Sequence, residues 1–251
     1  MIRKKNGSVS TMFREDSLKR MLGEDTPFVI REAYNYFRAK LMFTGKGAKC
    51  PVFVFTSANA GDGKTLTTIN TALSFAALKK RTLVIDADLR NPSVHRYFQK
   101  QNVHGLSEYL AGIIDAPGIV DTDTEGLQLL PAGMIPPNPT ELLGLPRLGE
   151  MLQQLAETYD VIFIDTPPIG LVSDAVSFTA VCSGYVLVVQ SGVTRKQELR
   201  EAIENIRAVG GSVSGIVMND VSGKTHHETG AKEYRRNMYY YRYENEEAKS
   251  E

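Results

Sequence analysis

Tryptophan is absent from the 251 residues, and cysteine occurs only twice, at Cys50 and Cys182. Two isolated cysteines exclude a disulfide framework and a thiolate metal cluster, and they suit a reducing cytosol. An excess of charge of either sign is missing as well: Lys plus Arg and Asp plus Glu each total 29. No overall field therefore draws the chain to nucleic acid. Long apolar runs are also lacking. The longest, 51–55 and 185–190, fall far short of the roughly 20 residues that a membrane-spanning helix needs. Residues 1–10 carry Arg3, Lys4 and Lys5 without an apolar core behind them, so they do not read as a secretory signal.

What is present is ordinary in amount and regular in arrangement. The chain is 42% hydrophobic and 23% charged, as in soluble globular proteins, and its length suits one large α/β domain or two small ones. Residues 1–27 are polar and read as a mobile arm, 28–221 as the folded domain, and 222–251 as a polar, tyrosine-rich tail. Within the domain, apolar β-rich runs at 51–57, 82–86, 127–133, 161–167, 185–191 and 215–220 predict strands. Their near-continuous Val, Ile, Phe and Leu content predicts burial on both faces, as in a parallel sheet. Helical patterns at 64–79, 93–99, 140–156, 173–182 and 195–209 lie between them. The alternation predicts a single α/β domain with a doubly wound, mostly parallel sheet flanked by helices.

The chemistry gathers at three strand ends. Ala58-Asn59-Ala60-Gly61-Asp62-Gly63-Lys64-Thr65 fits the phosphate-binding loop G-x-x-x-x-G-K-[ST], with Ala58 in place of the first glycine. Gly61 and Gly63 let the backbone turn and bring N–H groups to phosphate oxygens, and the following helix N-terminus favours an anion. Lys64 is expected at the β- and γ-phosphates of ATP and Thr65 on Mg²⁺, with Ala60, Asp62 and Leu66 completing the nucleotide cradle. Asp86 and Asp88 close the second strand two residues apart, on one face. Both suit a metal or the proton of an attacking hydroxyl. Asp165 ends the run 161–164, the usual form of a metal-supporting Walker B element. Each aspartate signal is weak alone; the three in this order form a constellation.

The set SANAGDGKTLTTIN, VIDADLRNPSVH and VIFIDTPP, with GLSEYLAG, PPNPTELL and SDA, resembles the bacterial tyrosine kinases of capsule and exopolysaccharide synthesis over roughly 30–243. That resemblance implies a tyrosine kinase that uses ATP and Mg²⁺, with Lys64, Asp86, Asp88 and Asp165 catalytic, Thr65, Asp88 and Asp165 on the metal, and Asn219 near the base. It implies a cytoplasmic homo-oligomer, usually a ring, acting on its neighbours' tails. The implied partners are a transmembrane polysaccharide co-polymerase, whose cytosolic tail activates the kinase at the inner membrane face, and a cognate tyrosine phosphatase. A family Glu-x-x-Arg-x-x-Arg assembly motif falls here on Glu32, Asn35 and Arg38, so its middle arginine is missing.

Tyr234, Tyr239, Tyr240, Tyr241 and Tyr243 crowd into ten residues among charged neighbours. Beside a nucleotide site they read as phosphoacceptors. Five phosphates would bring roughly −7.5 to −10 charges, at about −1.5 to −2 each. Two other readings share the phosphate loop. A partitioning or site-selection ATPase carries a lysine where this chain has Asn59. An ATP-gated scaffold would bind nucleotide without useful transfer.

Overall fold

The computed structural model describes residues 18–220. Seven strands form one sheet in the order β3-β4-β2-β5-β1-β6-β7, where β1 is Val52–Ser57, β2 Thr82–Asp86, β3 Val120–Asp121, β4 Leu127–Leu130, β5 Val161–Asp165, β6 Gly184–Gln190 and β7 Val213–Asn219. All neighbours are parallel except β3 with β4. Each expected strand is present within a few residues. The two-residue β3 edge lies in a stretch with too little apolar content to signal a strand.

Alternation along the central strands divides the core into two layers, because successive side chains point to opposite faces. Val52, Val54, Leu83, Ile85, Ile162 and Ile164 face one side. Phe53, Phe55, Val84 and Phe163 face the other. Phe163 is the hub of the second layer, with ring centroids 6.1 Å from Phe53, 5.9 Å from Phe55 and 5.1 Å from Phe75. Aromatic pairs at such spacings add to the burial of their area.

Helices cover both faces, which is why the strands carry apolar residues throughout. Over the phenylalanine layer lie α1 (Phe28–Thr44), α2 (Lys64–Ala76) and α3 (Val94–Tyr97). Over the other layer lie α4 (Leu106–Leu110), α5 (Pro139–Leu143), α6 (Pro146–Leu155) and α7 (Lys196–Ala208), with a 3₁₀ turn at Asp174–Phe178. The pattern at 140–156 predicts one helix, but the structure has two. Gly144 caps α5, and Leu145, held extended by Pro146, starts α6 afresh. Leu148, Met151, Leu152 and Leu155 then form the buried stripe of α6. The stretch 173–182 forms only the 3₁₀ turn. Helix α4 is five residues long, too short for a periodic signal.

Residues 18–26 belong, in the sequence reading, to the mobile arm, yet they are strapped to α2. Asn70 accepts from the Leu22 N–H at 2.8 Å and donates to the Arg20 carbonyl at 3.0 Å. Met21 and Leu22 pack against the phenylalanine layer. A single polar side chain on another element holds the strap, a relation that local sequence does not display. The tyrosine cluster 234–243 lies outside the described residues.

Candidate active site

Parallel pairing carries the ends of β1, β2 and β5 to one edge of the sheet, with Asp86 opposite Asp165 in register. There the chain between β1 and α2 turns back on itself. Gly61 and Gly63 both have φ of +88°, a left-handed conformation that favours glycine. A side chain at Gly63 would also collide, its Cβ falling 1.8 Å from Asn219 Nδ2. Gly63 is the N-cap of α2, so the helix begins directly at the end of this turn.

The loop is braced from several sides. Asp62, buried, accepts from the Asn59 N–H at 3.0 Å and from Thr194 Oγ1 at 2.9 Å. Asn59 Nδ2 donates to Glu198 Oε2 at 2.9 Å. Asn219, at the end of β7, donates to the Asp62 carbonyl at 3.2 Å. Beneath, Thr56 donates to the Pro167 carbonyl at 2.9 Å and accepts from the Ile169 N–H at 3.0 Å.

The charged centre lies just inside this loop. Lys64 Nζ bonds Asp165 Oδ1 at 2.9 Å and lies 3.9 Å from Asp88 Oδ2. Thr65 donates to Asp165 Oδ2 at 2.7 Å, and Thr68 reaches Asp165 Oδ1 at 3.3 Å. Asp86 is fully buried and accepts the backbone N–H groups of Ser93 and Val94 at 3.0 Å. Burial, and then the Asp165 carboxylate beside it, push its pKa up to about 8. Burial also raises the Asp88 carboxyl, and Lys64 only partly offsets this. Asp88 accepts from the Asn91 N–H at 3.0 Å.

The sequence-predicted Ala60, Gly61, Asp62, Gly63, Lys64, Thr65, Leu66, Asp86, Asp88, Asp165 and Asn219 thus belong to or border one site. Glu32 and Arg38 do not. Glu32 accepts from Asn35 Nδ2 at 2.7 Å along α1, and Arg38 donates to the Ser74 carbonyl at 2.5 Å. Sequence reading missed one support of the site, a triad of side chains. Arg90 clasps buried Asp174 at 2.7 and 3.0 Å, and Thr140 donates to the same carboxylate at 2.5 Å. This triad ties the Asp88 loop to α5 and the 3₁₀ turn; its members lie in the family stretches, but their contact is tertiary.

Glycines at positive φ, a lysine at a helix start and carboxylates at strand ends form a cradle for polyphosphate. Thr65, Asp88 and Asp165 are hard oxygen donors, which suits Mg²⁺. Among the described residues, no group of three or more His, Cys, Asp or Glu side chains is arranged to hold a metal. A cation here would complete its shell with phosphate and water.

Residues 51–212 match the model of an AAA domain family. The tyrosine-protein kinase CpsD of Streptococcus agalactiae is 37% identical over 193 residues, covering 76% of this chain and 83% of that protein. The chain belongs to the bacterial tyrosine kinase family. The kinase domain of the Escherichia coli tyrosine kinase ETK superposes on this kinase with a TM-score of 0.75 at 30% identity, covering 84% of this chain and 86% of that one. The chimerical protein CapA2B2 superposes with a TM-score of 0.73 at 32% identity, covering 81% and 89%. The chain is accordingly an ATP-dependent protein-tyrosine kinase.

Proposed function

We propose that this kinase transfers the γ-phosphoryl group of ATP to tyrosines of its own C-terminal cluster, Tyr234, Tyr239, Tyr240, Tyr241 and Tyr243, within an oligomer. The observation that carries the reading is the convergence of Lys64, Thr65, Asp88 and Asp165 beneath the phosphate loop. The phenol oxygen attacks the γ-phosphorus, the bond to the β–γ bridging oxygen breaks, and ADP leaves. Lys64 leaves its carboxylate partner to meet the β- and γ-phosphates, where a fixed charge offsets that of the transferring group. Thr65, Asp88 and Asp165 are the residues to hold Mg²⁺, which supplies charge neutralisation when bound. Asn219 sits close enough to the loop to border the base.

Asp86 is the candidate to orient the phenol or take its proton. Its carboxylate ends β2 beside the phosphate loop, where it could accept the proton of a phenol whose ordinary pKa is about 10. Its oxygens already accept backbone N–H groups, so the loop from Asp88 to Ser93 must shift for the phenol to reach it. Asp88, 8% exposed against 0% for Asp86, is the alternative.

Oligomerisation through Glu32 and Arg38 requires both side chains to exchange their present partners. A transmembrane co-polymerase that recruits and activates the kinase at the inner membrane face, a role in exopolysaccharide synthesis and export, and an opposing phosphatase complete the proposal.

Intact-mass and phosphotyrosine mapping after incubation with Mg-ATP tests it. Phosphate should accumulate on residues 234–243 of the wild type and be absent from Lys64→Met. Normal transfer by Lys64→Met would refute the site assignment, and phosphotyrosine confined to other residues would refute the acceptor assignment.

A further inference from the structure

Away from the phosphate loop, a cavity of about 520 Å³ opens between α4, the segment 134–138 and α5. That volume lies within the range of binding clefts, roughly 300–1,000 Å³. Its walls are mostly apolar, and large side chains stand in solvent at its mouth: Ile113 is 66% exposed, Met134 60% and Ile135 63%. Contiguous exposed apolar surface usually marks a contact site.

The presenting loop is firmly held. Buried Glu108 accepts from the N–H groups of His104, Gly105 and Met134 and from Ser107 Oγ, at 2.8 to 3.2 Å. Gly133, at φ +83°, packs so closely on that carboxylate that a Cβ would fall 1.7 Å from Oε2. Asn102 exchanges two bonds with the Gly133 backbone, at 2.7 and 2.9 Å. The bracket fixes Met134 and Ile135 so that most of each side chain stays exposed within the described fold.

The lining includes two acidic residues, Glu108 and Glu141, and no basic one. Residues 232–243 of the same chain have the opposite character. They carry five tyrosines and Met238, with four basic residues against one acidic, a formal +3. Position agrees as well. The described chain ends just beyond β7, at the C-terminal end of the parallel strands, the end from which β4 also leads toward Met134. Five strand spacings of about 4.8 Å separate β7 from β4, roughly 24 Å. The 14 residues from Asp220 to Tyr234 span up to about 45–50 Å when extended. The groove also adjoins the acidic site, because Thr140 on its α5 wall bonds the Asp174 that clasps Arg90.

We propose that this groove is the docking site for the unphosphorylated segment 232–243, seating aromatic side chains while adjacent tyrosines reach the acidic site. Each transferred phosphate adds about −1.5 to −2 charges. Full modification therefore turns the segment strongly negative and expels it from an apolar groove whose exposed charge is the carboxylate of Glu141. The proposal rests on the kinase reading, and its test separates the two.

A photo-crosslinking amino acid replaces Ile135 in the full-length chain, with and without the additional Lys64→Met substitution, and crosslinks are mapped by mass spectrometry. Crosslinks to residues 232–243 are expected in both, and they disappear once the active form has been phosphorylated. In parallel, Ile135→Asp should slow tail phosphorylation about ten-fold while leaving fluorescent-nucleotide affinity and thermal unfolding unchanged. Crosslinks only to residues 18–220 of a second copy, or crosslinks unaffected by phosphorylation, would overturn the docking site. So would normal tail phosphorylation by Ile135→Asp. Crosslinks to the tail without any phosphotyrosine would instead strike the kinase reading and leave the docking site standing.

Discussion

Replacing Lys64 with Met should destabilise the nucleotide-free protein as well as silence it. Among the described residues, Lys64 is the cation that contacts the buried strand-end carboxylates, 2.9 Å from Asp165 and 3.9 Å from Asp88, with Asp86 paired in register to Asp165. The side chains of Lys64 and Asp165 are 9% and 0% exposed, so water screens the pair little. Breaking a buried ion pair by removing one partner costs about 3–5 kcal/mol, because the other is left uncompensated. At roughly 2–4 °C per kcal/mol for a domain of this size, the unfolding midpoint should fall by about 6–20 °C. Asp165→Asn should cost less. It leaves Lys64 beside Asp88 and relieves the repulsion that Asp165 exerts on Asp86. The double variant should recover part of the Lys64→Met loss, giving a favourable coupling in the cycle. Thermal and urea unfolding of the four proteins without nucleotide at pH 7 measures this. An unchanged midpoint for Lys64→Met, or strictly additive effects, would refute the picture of a lysine neutralising a buried carboxylate cluster.

Two further outcomes follow from the loop and its support. Gly63→Ala places a side chain at φ +88° and 1.8 Å from Asn219 Nδ2, so the loop or Asn219 must move. Nucleotide affinity by fluorescence titration should drop at least ten-fold, about 1.4 kcal/mol, and wild-type affinity would contradict the cradle. Asp174→Asn should lose roughly 1–3 kcal/mol, the scale of charged hydrogen bonds. Burial raises the Asp174 carboxyl, but bonds from Arg90 and Thr140 outweigh it and hold the pKa below the usual range. A lowered folded-state pKa contributes stability that is present above the unfolded value, about 3.9, and lost as pH falls through the folded one. The gap between wild type and variant in urea unfolding should therefore be level from pH 5 to 8 and close below about pH 4; a gap that widens in acid would be inconsistent.

Much of this protein is legible along the chain, because the relevant signals are local. Buried parallel strands must be apolar on both faces, so runs such as VFVF and VIFI announce themselves. A phosphate cradle needs Gly61, Gly63 and Lys64 within one turn, and the acidic residues must end their strands to reach it. Other features depend on which elements the fold brings side by side. Helix α4 and strand β3 are too short for periodicity to show, and the split at Gly144-Leu145-Pro146 competes with a continuous amphipathic pattern. The clasp of Arg90 on Asp174 joins residues 84 positions apart. The Glu108 bracket and the groove beside it arise only when α4 meets the turn after β4. Sequence by itself determined the fold class and the phosphate chemistry, since both rest on spacing within single segments. Tertiary structure decided which charges are paired, which carboxylate is buried and where apolar surface stays open, because solvation and contact are properties of the assembled neighbourhood.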